Sequence, residues 1–231
     1  MANLVDRLTL SVSDGTDMAL HVARPENPEA PGLLVFQEAF GVNGHIRGLC
    51  QAFAQEGWLA AAPELYHRTA PGFECGYDAI ATARPHMQAM TEVGLLADFQ
   101  AAHRWLLDQG CPKVAAIGYC MGGRMAFLAN ASLPLAAAVS YYGGGIQTYG
   151  AQVPFLHGPM LLIWGGKDAH VTREHARAVE DLLISTGKPF ISTTFSEADH
   201  GFNCDERASH HPESARQARA LALAFLRAHL G

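Results

Sequence analysis

The chain is short of several things. None of its 231 residues belongs to an apolar run long enough to span a bilayer. The opening "MANLVDRLTLSVSDG" places Asp6 and Arg7 early and has no apolar core of signal-peptide length. Basic residues are outnumbered, 16 Lys and Arg against 22 Asp and Glu, for a formal charge of −6. That balance offers nothing to attract nucleic acid or an anionic membrane. The five cysteines (50, 75, 111, 120, 204) are odd in number, scattered and without a CxxC pair. This argues against a disulfide framework or zinc cluster and suits a reducing cytoplasm. Twelve histidines are present, but no HExxH or paired ligand spacing, so no metal site is expected. Internal repeats, low-complexity tracts and long linkers are also missing. The expectation is one α/β domain over residues 1–231, as a monomer or small homo-oligomer.

What is present is an ordered alternation. "DRLTLSV" and "DMALHVARP" flank "SDGT" as an antiparallel hairpin would. "PGLLVFQE", "WLAAAPELY", "KVAAIGY", "LAAAVSYYG", "PMLLIWGG" and "FISTTFSE" read as strands. Between them, "GHIRGLCQAFAQEG", "TEVGLLADFQAAHRWLLDQ", "MGGRMAFLANA" and "TREHARAVEDLLISTG" have helical spacing, and "PESARQARALALAFLRAHL" closes the chain as a helix. Residues 66–90 read as irregular, with two short possible helices. Apolar strands alternating with amphipathic helices imply a mostly parallel central sheet with helices on both faces. Such sheets place chemistry at the carboxyl ends of their strands.

Four reactive side chains fall just past predicted strands: Glu38, Cys120, Asp168 and His200. "GYCMG" has the glycine spacing of a nucleophile elbow, with Cys120 where serine usually stands. A cysteine flanked by apolar residues is most often buried packing. Here Gly118 and Gly122 permit the strained turn, and the N-terminus of the next helix would face the sulfur and favour negative charge there. Asp168 taken alone reads more readily as a turn residue or the cap of the helix near Thr172 than as a catalytic acid. His200 could be a loop histidine, and Asp199 rivals Asp168 as its acid. The chain order nucleophile, acid, histidine is that of the α/β-hydrolases.

Taken together, "QEAFGVNGHIR", "APELY", "GYCMGG", "YYGGGI", "GGKDAHV" and "DHGFNCDER" resemble the dienelactone hydrolase (carboxymethylenebutenolidase) family. The likeness runs from about residue 10 to the C-terminus. It implies an α/β-hydrolase fold with Cys120 as nucleophile, His200 as general base and acid, and Asp168 orienting the imidazole. It also implies that Glu38 interacts with the resting thiol and takes its proton when substrate binds. The oxyanion hole would be the backbone N–H groups of Met121 and Ala39. No metal or organic cofactor is implied. The substrate would be a small lactone or ester, opened through a thioester.

The sequence departs from the family where its best-known members hold a substrate carboxylate with two arginines. Cys204 stands where one is expected, and Arg207, three residues on, is the substitute candidate. Arg84 is the candidate for the other, with Arg68 competing. Gly201 replaces a serine that often follows the histidine. Tyr142 matches a pocket tyrosine, although strand-end aromatics more often pack. Three readings therefore stand: a hydrolase of carboxylated enol-lactones or esters, a broad carboxylesterase or thioesterase, and a non-catalytic ligand-binding or thiol-sensing α/β-hydrolase.

Overall fold

The computed structural model describes residues 5–231. The chain forms two compact units that meet in sequence at Ala115 and Ala116. In the first, β1 (Val5–Ser11) and β2 (Asp17–Ala23) form the expected hairpin, registered from Val5 opposite Ala23 to Ser11 opposite Asp17. β2 pairs antiparallel with β4 (Leu59–Pro63), which pairs parallel with β3 (Gly32–Phe36). All five residues of β3 and of β4 are buried, as their unbroken apolar runs require.

Helix α1 (Gly44–Gln55) buries Ile46, Cys50, Phe53 and Ala54, an i, i+4, i+7, i+8 stripe. Its cap, Asn43, accepts the Ile46 N–H at 3.2 Å. The stretch expected to hold two short helices contains one, α2 (Ile80–Ala89), preceded by turns. Pro85 lies inside it, and its weak apolar stripe buries only Ala83.

Helix α3 (Glu92–Asp108) buries Leu95, Phe99, Ala102 and Leu106, and on the same face Asp98. A buried carboxylate needs partners. Arg68 supplies two hydrogen bonds of 2.8 Å, and the His67 Nε2 lies 3.0 Å away. Arg68 also donates to Asp14 at 2.8 Å. Its guanidinium is thus committed to structural carboxylates, which removes it as the competitor of Arg84.

The boundary falls within β5 (Val114–Tyr119), most of which belongs to the second unit. From there β5, β6 (Ala138–Tyr141), β7 (Met160–Gly165) and β8 (Phe190–Phe195) run parallel in that order. Parallel neighbours need crossovers, supplied here by α4 (Met121–Ser132), α5 (Arg173–Ser185) and a 3-10 stretch (Ile146–Phe155) absent from the sequence reading. Strands β5, β6 and β7 are buried throughout, while β8, last in the row, is partly exposed. Helix α6 (Pro212–Leu230) closes the chain. Among the described residues no helix is long and apolar enough to cross a membrane, and all five cysteines are free thiols.

Asp98→Ala should destabilise the protein by about 3 kcal/mol, because it strands a guanidinium built around the missing carboxylate. Urea unfolding followed by circular dichroism measures it, and a loss below about 0.5 kcal/mol would show the Arg68–Asp98 pair to be dispensable.

Candidate active site

Because β5 to β8 are parallel, their carboxyl ends share one edge. Cys120 lies one residue past β5, Tyr142 one past β6, Asp168 three past β7 and His200 five past β8.

The turn at Cys120 is a true elbow. Cys120 has φ 55° and ψ −118°, a conformation that costs a non-glycine residue roughly 1–3 kcal/mol. Its N–H donates to the Tyr141 carbonyl at 3.0 Å, and its own carbonyl accepts the Gly123 N–H at 3.0 Å. Two glycines make the turn possible. A Cβ on Gly118 would lie 1.9 Å from the Gly122 carbonyl oxygen, and one on Gly123 would lie 2.7 Å from Ser140 Oγ and 2.8 Å from Gly143 Cα. Helix α4 therefore presses its first turn onto the strands at a distance only bare backbone allows.

Three side chains converge at this turn. His200 Nε2 lies 3.0 Å from Cys120 Sγ, and His200 Nδ1 lies 2.8 Å from Asp168 Oδ2. The second Asp168 oxygen accepts the N–H groups of His170 and Val171, both at 2.8 Å. Those bonds form the turn ahead of α5, while the helix cap itself is Thr172. Asp199, the rival acid, instead accepts the backbone N–H of His200 at 2.6 Å. Rings flank the imidazole: Tyr142 at 5.1 Å and His170 at 5.3 Å between centroids.

Electrostatics follow the geometry. Burial works against charge on the His200 imidazole, but hydrogen bonds to the Asp168 carboxylate and the Cys120 sulfur outweigh it and push the group up to about 10. Burial likewise opposes charge on Asp168, yet the His200 bond and the two backbone N–H groups hold the carboxyl below its ordinary value. The arrangement stabilises an imidazolium clamped between a carboxylate and a sulfur.

The remaining expected residues distribute as follows. Met121 is the first residue of α4. Glu38 and Ala39 follow β3 in the first unit, each 1% exposed, and the Ala39 carbonyl accepts the Tyr66 O–H at 3.0 Å. Arg84 is exposed on α2, also in the first unit. Tyr142 is fully buried, with φ 39°, and packs on His200 and Phe202, a position suited to holding the imidazole. Cys204 is buried.

Arg207 and Gly201 prove to be one feature. A Cβ on Gly201 would lie 2.2–2.6 Å from the Arg207 guanidinium, so this arginine fills the space that a side chain at residue 201 would take. Two residues went unread in the sequence. His170 carries no pattern that marks it. Arg124 did have a signal: it stands four residues past Cys120, hence on the same helix face. Its Nε is buried without a hydrogen-bond partner among the described residues, and its Nη1 would lie 2.8 Å from a Cβ on Gly145.

The sequence profile of the dienelactone hydrolase family matches residues 18–230. The chain belongs to the dienelactone hydrolase family. A carboxymethylenebutenolidase from Pseudomonas putida is 30% identical over 232 residues, 96% of each chain. A Klebsiella pneumoniae crystal structure, 32% identical, superposes with a TM-score of 0.85 and covers 97% of this chain and 99% of that one. The dienelactone hydrolase of Anabaena variabilis has a TM-score of 0.75 at 18% identity, with full coverage of both chains. The fold is that of the α/β-hydrolases, a mostly parallel sheet with helices, and the protein is a hydrolase acting on small-molecule esters or lactones.

The raised His200 value has a sign. Stability contributed by this group is fully present below its unfolded value near 6.5 and is lost as pH rises through about 10. The stability difference between the wild type and His200→Gln should therefore shrink between pH 7 and pH 10.5. Denaturant unfolding across that range measures it, and a pH-independent difference would remove the clamped imidazolium.

Proposed function

We propose that Cys120 is the nucleophile of a thioester mechanism acting on a small enol-lactone or activated ester. The observation that carries this is the unbroken relay from Asp168 through His200 to the sulfur, 2.8 Å and 3.0 Å. Glu38 takes the thiol proton, and the thiolate, beside the His200 imidazolium, attacks the carbonyl carbon, forming C–S and a tetrahedral oxyanion. The Met121 N–H, with that of Ala39, is the proposed oxyanion hole. Collapse expels the enolate or alkoxide, which takes a proton from the His200 imidazolium. Water, deprotonated by the now neutral His200, then attacks the thioester, C–S breaks, a carboxylic acid leaves, and Glu38 returns its proton to the sulfur. The family likeness assigns Glu38 the task of taking the thiol proton when substrate arrives, sparing a standing thiolate from oxidation.

The substrate we infer carries a carboxylate. Arg207, packed against Gly201, is its first proposed anchor. Arg84 is the anchor proposed from the first unit, on the likeness alone. Arg124, a half-buried guanidinium one turn from the nucleophile and without an ion-pair partner among the described residues, is a further cation available to an anionic substrate. The second reading, a broad esterase or thioesterase, is favoured by Cys204, since a buried thiol occupies the position of an expected arginine.

Cys120→Ala should lower kcat on an enol-lactone and on p-nitrophenyl acetate by about 10³-fold or more, and undiminished turnover would end the thioester mechanism. Against a carboxylated enol-lactone and its methyl ester, kcat/KM should favour the acid by about tenfold or more. Arg207→Ala should erase that preference while leaving Cys120-dependent p-nitrophenyl acetate turnover in place. Equal kcat/KM for acid and ester in the wild type would select the broad esterase.

A further inference from the structure

A cleft of about 590 Å³ lies in the second unit, between the first turns of α5 and the ends of β7 and β8. None of Cys120, Asp168 and His200 lines it. Its volume falls inside the range of about 300–1,000 Å³ typical of small-molecule sites.

The lining has a definite chemistry. Arg173 and Arg177 stand four residues apart on α5, so their side chains are neighbours on the helix surface. Neither makes a close ion pair with a described residue, and Arg177 feels the charge of the exposed Glu174 on the same helix. Opposite them, β8 and the segment after it contribute Thr194 and Ser196, and Thr172 stands at the helix cap; the Ser196 and Thr172 hydroxyls also bond the exposed Glu197 and Glu174. Trp164, Val171 and Ala176 provide the apolar portion.

The one carboxylate in the lining is Glu180, and it is engaged. It accepts the Ser192 hydroxyl at 2.5 Å, and Ser192 in turn accepts the Trp164 indole N–H at 2.9 Å. That chain fixes the indole, and two arginines against this one carboxylate give the lining a net positive charge. Guanidinium groups at the start of a helix, where the backbone also favours negative charge, form a fork suited to a carboxylate. The apolar portion gives an organic body a surface that a bare inorganic anion could not use.

We propose that this cleft is a second ligand site, taking a small organic carboxylate with its charge on Arg173 and Arg177 and its body against Trp164. The site goes beyond the hydrolytic reading and does not depend on it. The occupant would nonetheless touch both flanks of the Asp168 turn, since Gly165, Gly166, Val171 and Thr172 all line the cleft.

The test is calorimetric titration of the full chain with benzoate, and with inorganic phosphate as the charge-only probe. Benzoate should bind saturably with one site, and phosphate about tenfold more weakly or less. Arg173→Ala/Arg177→Ala should weaken benzoate by about tenfold or more. Arg177→Glu, a single exposed change that keeps the helix, should do the same. Arg207→Ala, which alters the proposed carboxylate anchor at the triad, should leave benzoate affinity within about twofold. Absence of saturable binding, or binding lost in Arg207→Ala but unchanged in both α5 variants, overturns the site. Phosphate bound as tightly as benzoate overturns the assignment to an organic acid.

Discussion

The site hangs on the backbone at Cys120. Its φ of 55° is one that side chains resist, and two close approaches hold it in place. Gly118 meets the Gly122 carbonyl, and Gly123 meets β6 and the loop after it. The Cys120 N–H is meanwhile tied to Tyr141. A side chain at either glycine would push α4 off the strands, and the sulfur would leave the His200 ring. The strain at one residue is thus offset by packing that no residue larger than glycine permits.

The charges are fixed from behind in the same way. Asp168 cannot swing, because one oxygen is held by two backbone N–H groups and the other by the imidazole. His200 cannot turn, because Tyr142 and His170 flank it. Tyr142 has its own positive φ, 39°, and its N–H is anchored to Ile163 at 2.7 Å. Strained residues follow two neighbouring strands, β5 and β6, at the edge where the candidate chemistry lies. Such strain persists only where the surrounding structure over-determines it.

Much of this was legible beforehand. Unbroken apolar runs located the buried strands, and helical spacing located α1, α3, α4 and α5. The convergence of Cys120, Asp168 and His200 was readable because parallel strands send all their carboxyl ends to one edge, so position after a strand stands in for proximity in space. Where that proxy fails, the sequence is silent. The 3-10 stretch at Ile146–Phe155 and the single helix α2 lack a strong apolar stripe. The commitment of Arg68 to Asp98 depends on a buried acid on a helix face, which looks in sequence like any exposed Asp. His170 owes its place beside His200 to a turn whose hydrogen bonds are made by backbone, and backbone leaves no trace in residue type.

The relation of Gly201 to Arg207 shows how departures from a family pattern should be weighed. Read singly, a missing serine and a displaced arginine each count against a carboxylated substrate. In the structure they are one exchange, since the guanidinium lies in the volume that a side chain at residue 201 would fill. Gly145 makes the same allowance for Arg124. A glycine that merely relaxed the backbone would leave empty space beside it, yet at both positions the space holds a cation. A buried guanidinium nitrogen without a hydrogen-bond partner among the described residues, as at Arg124 Nε, carries a cost of lost hydration that an anion can offset. In the proposed reaction the substrate carboxylate is that anion, and Gly145, with no side chain, leaves the cation its space.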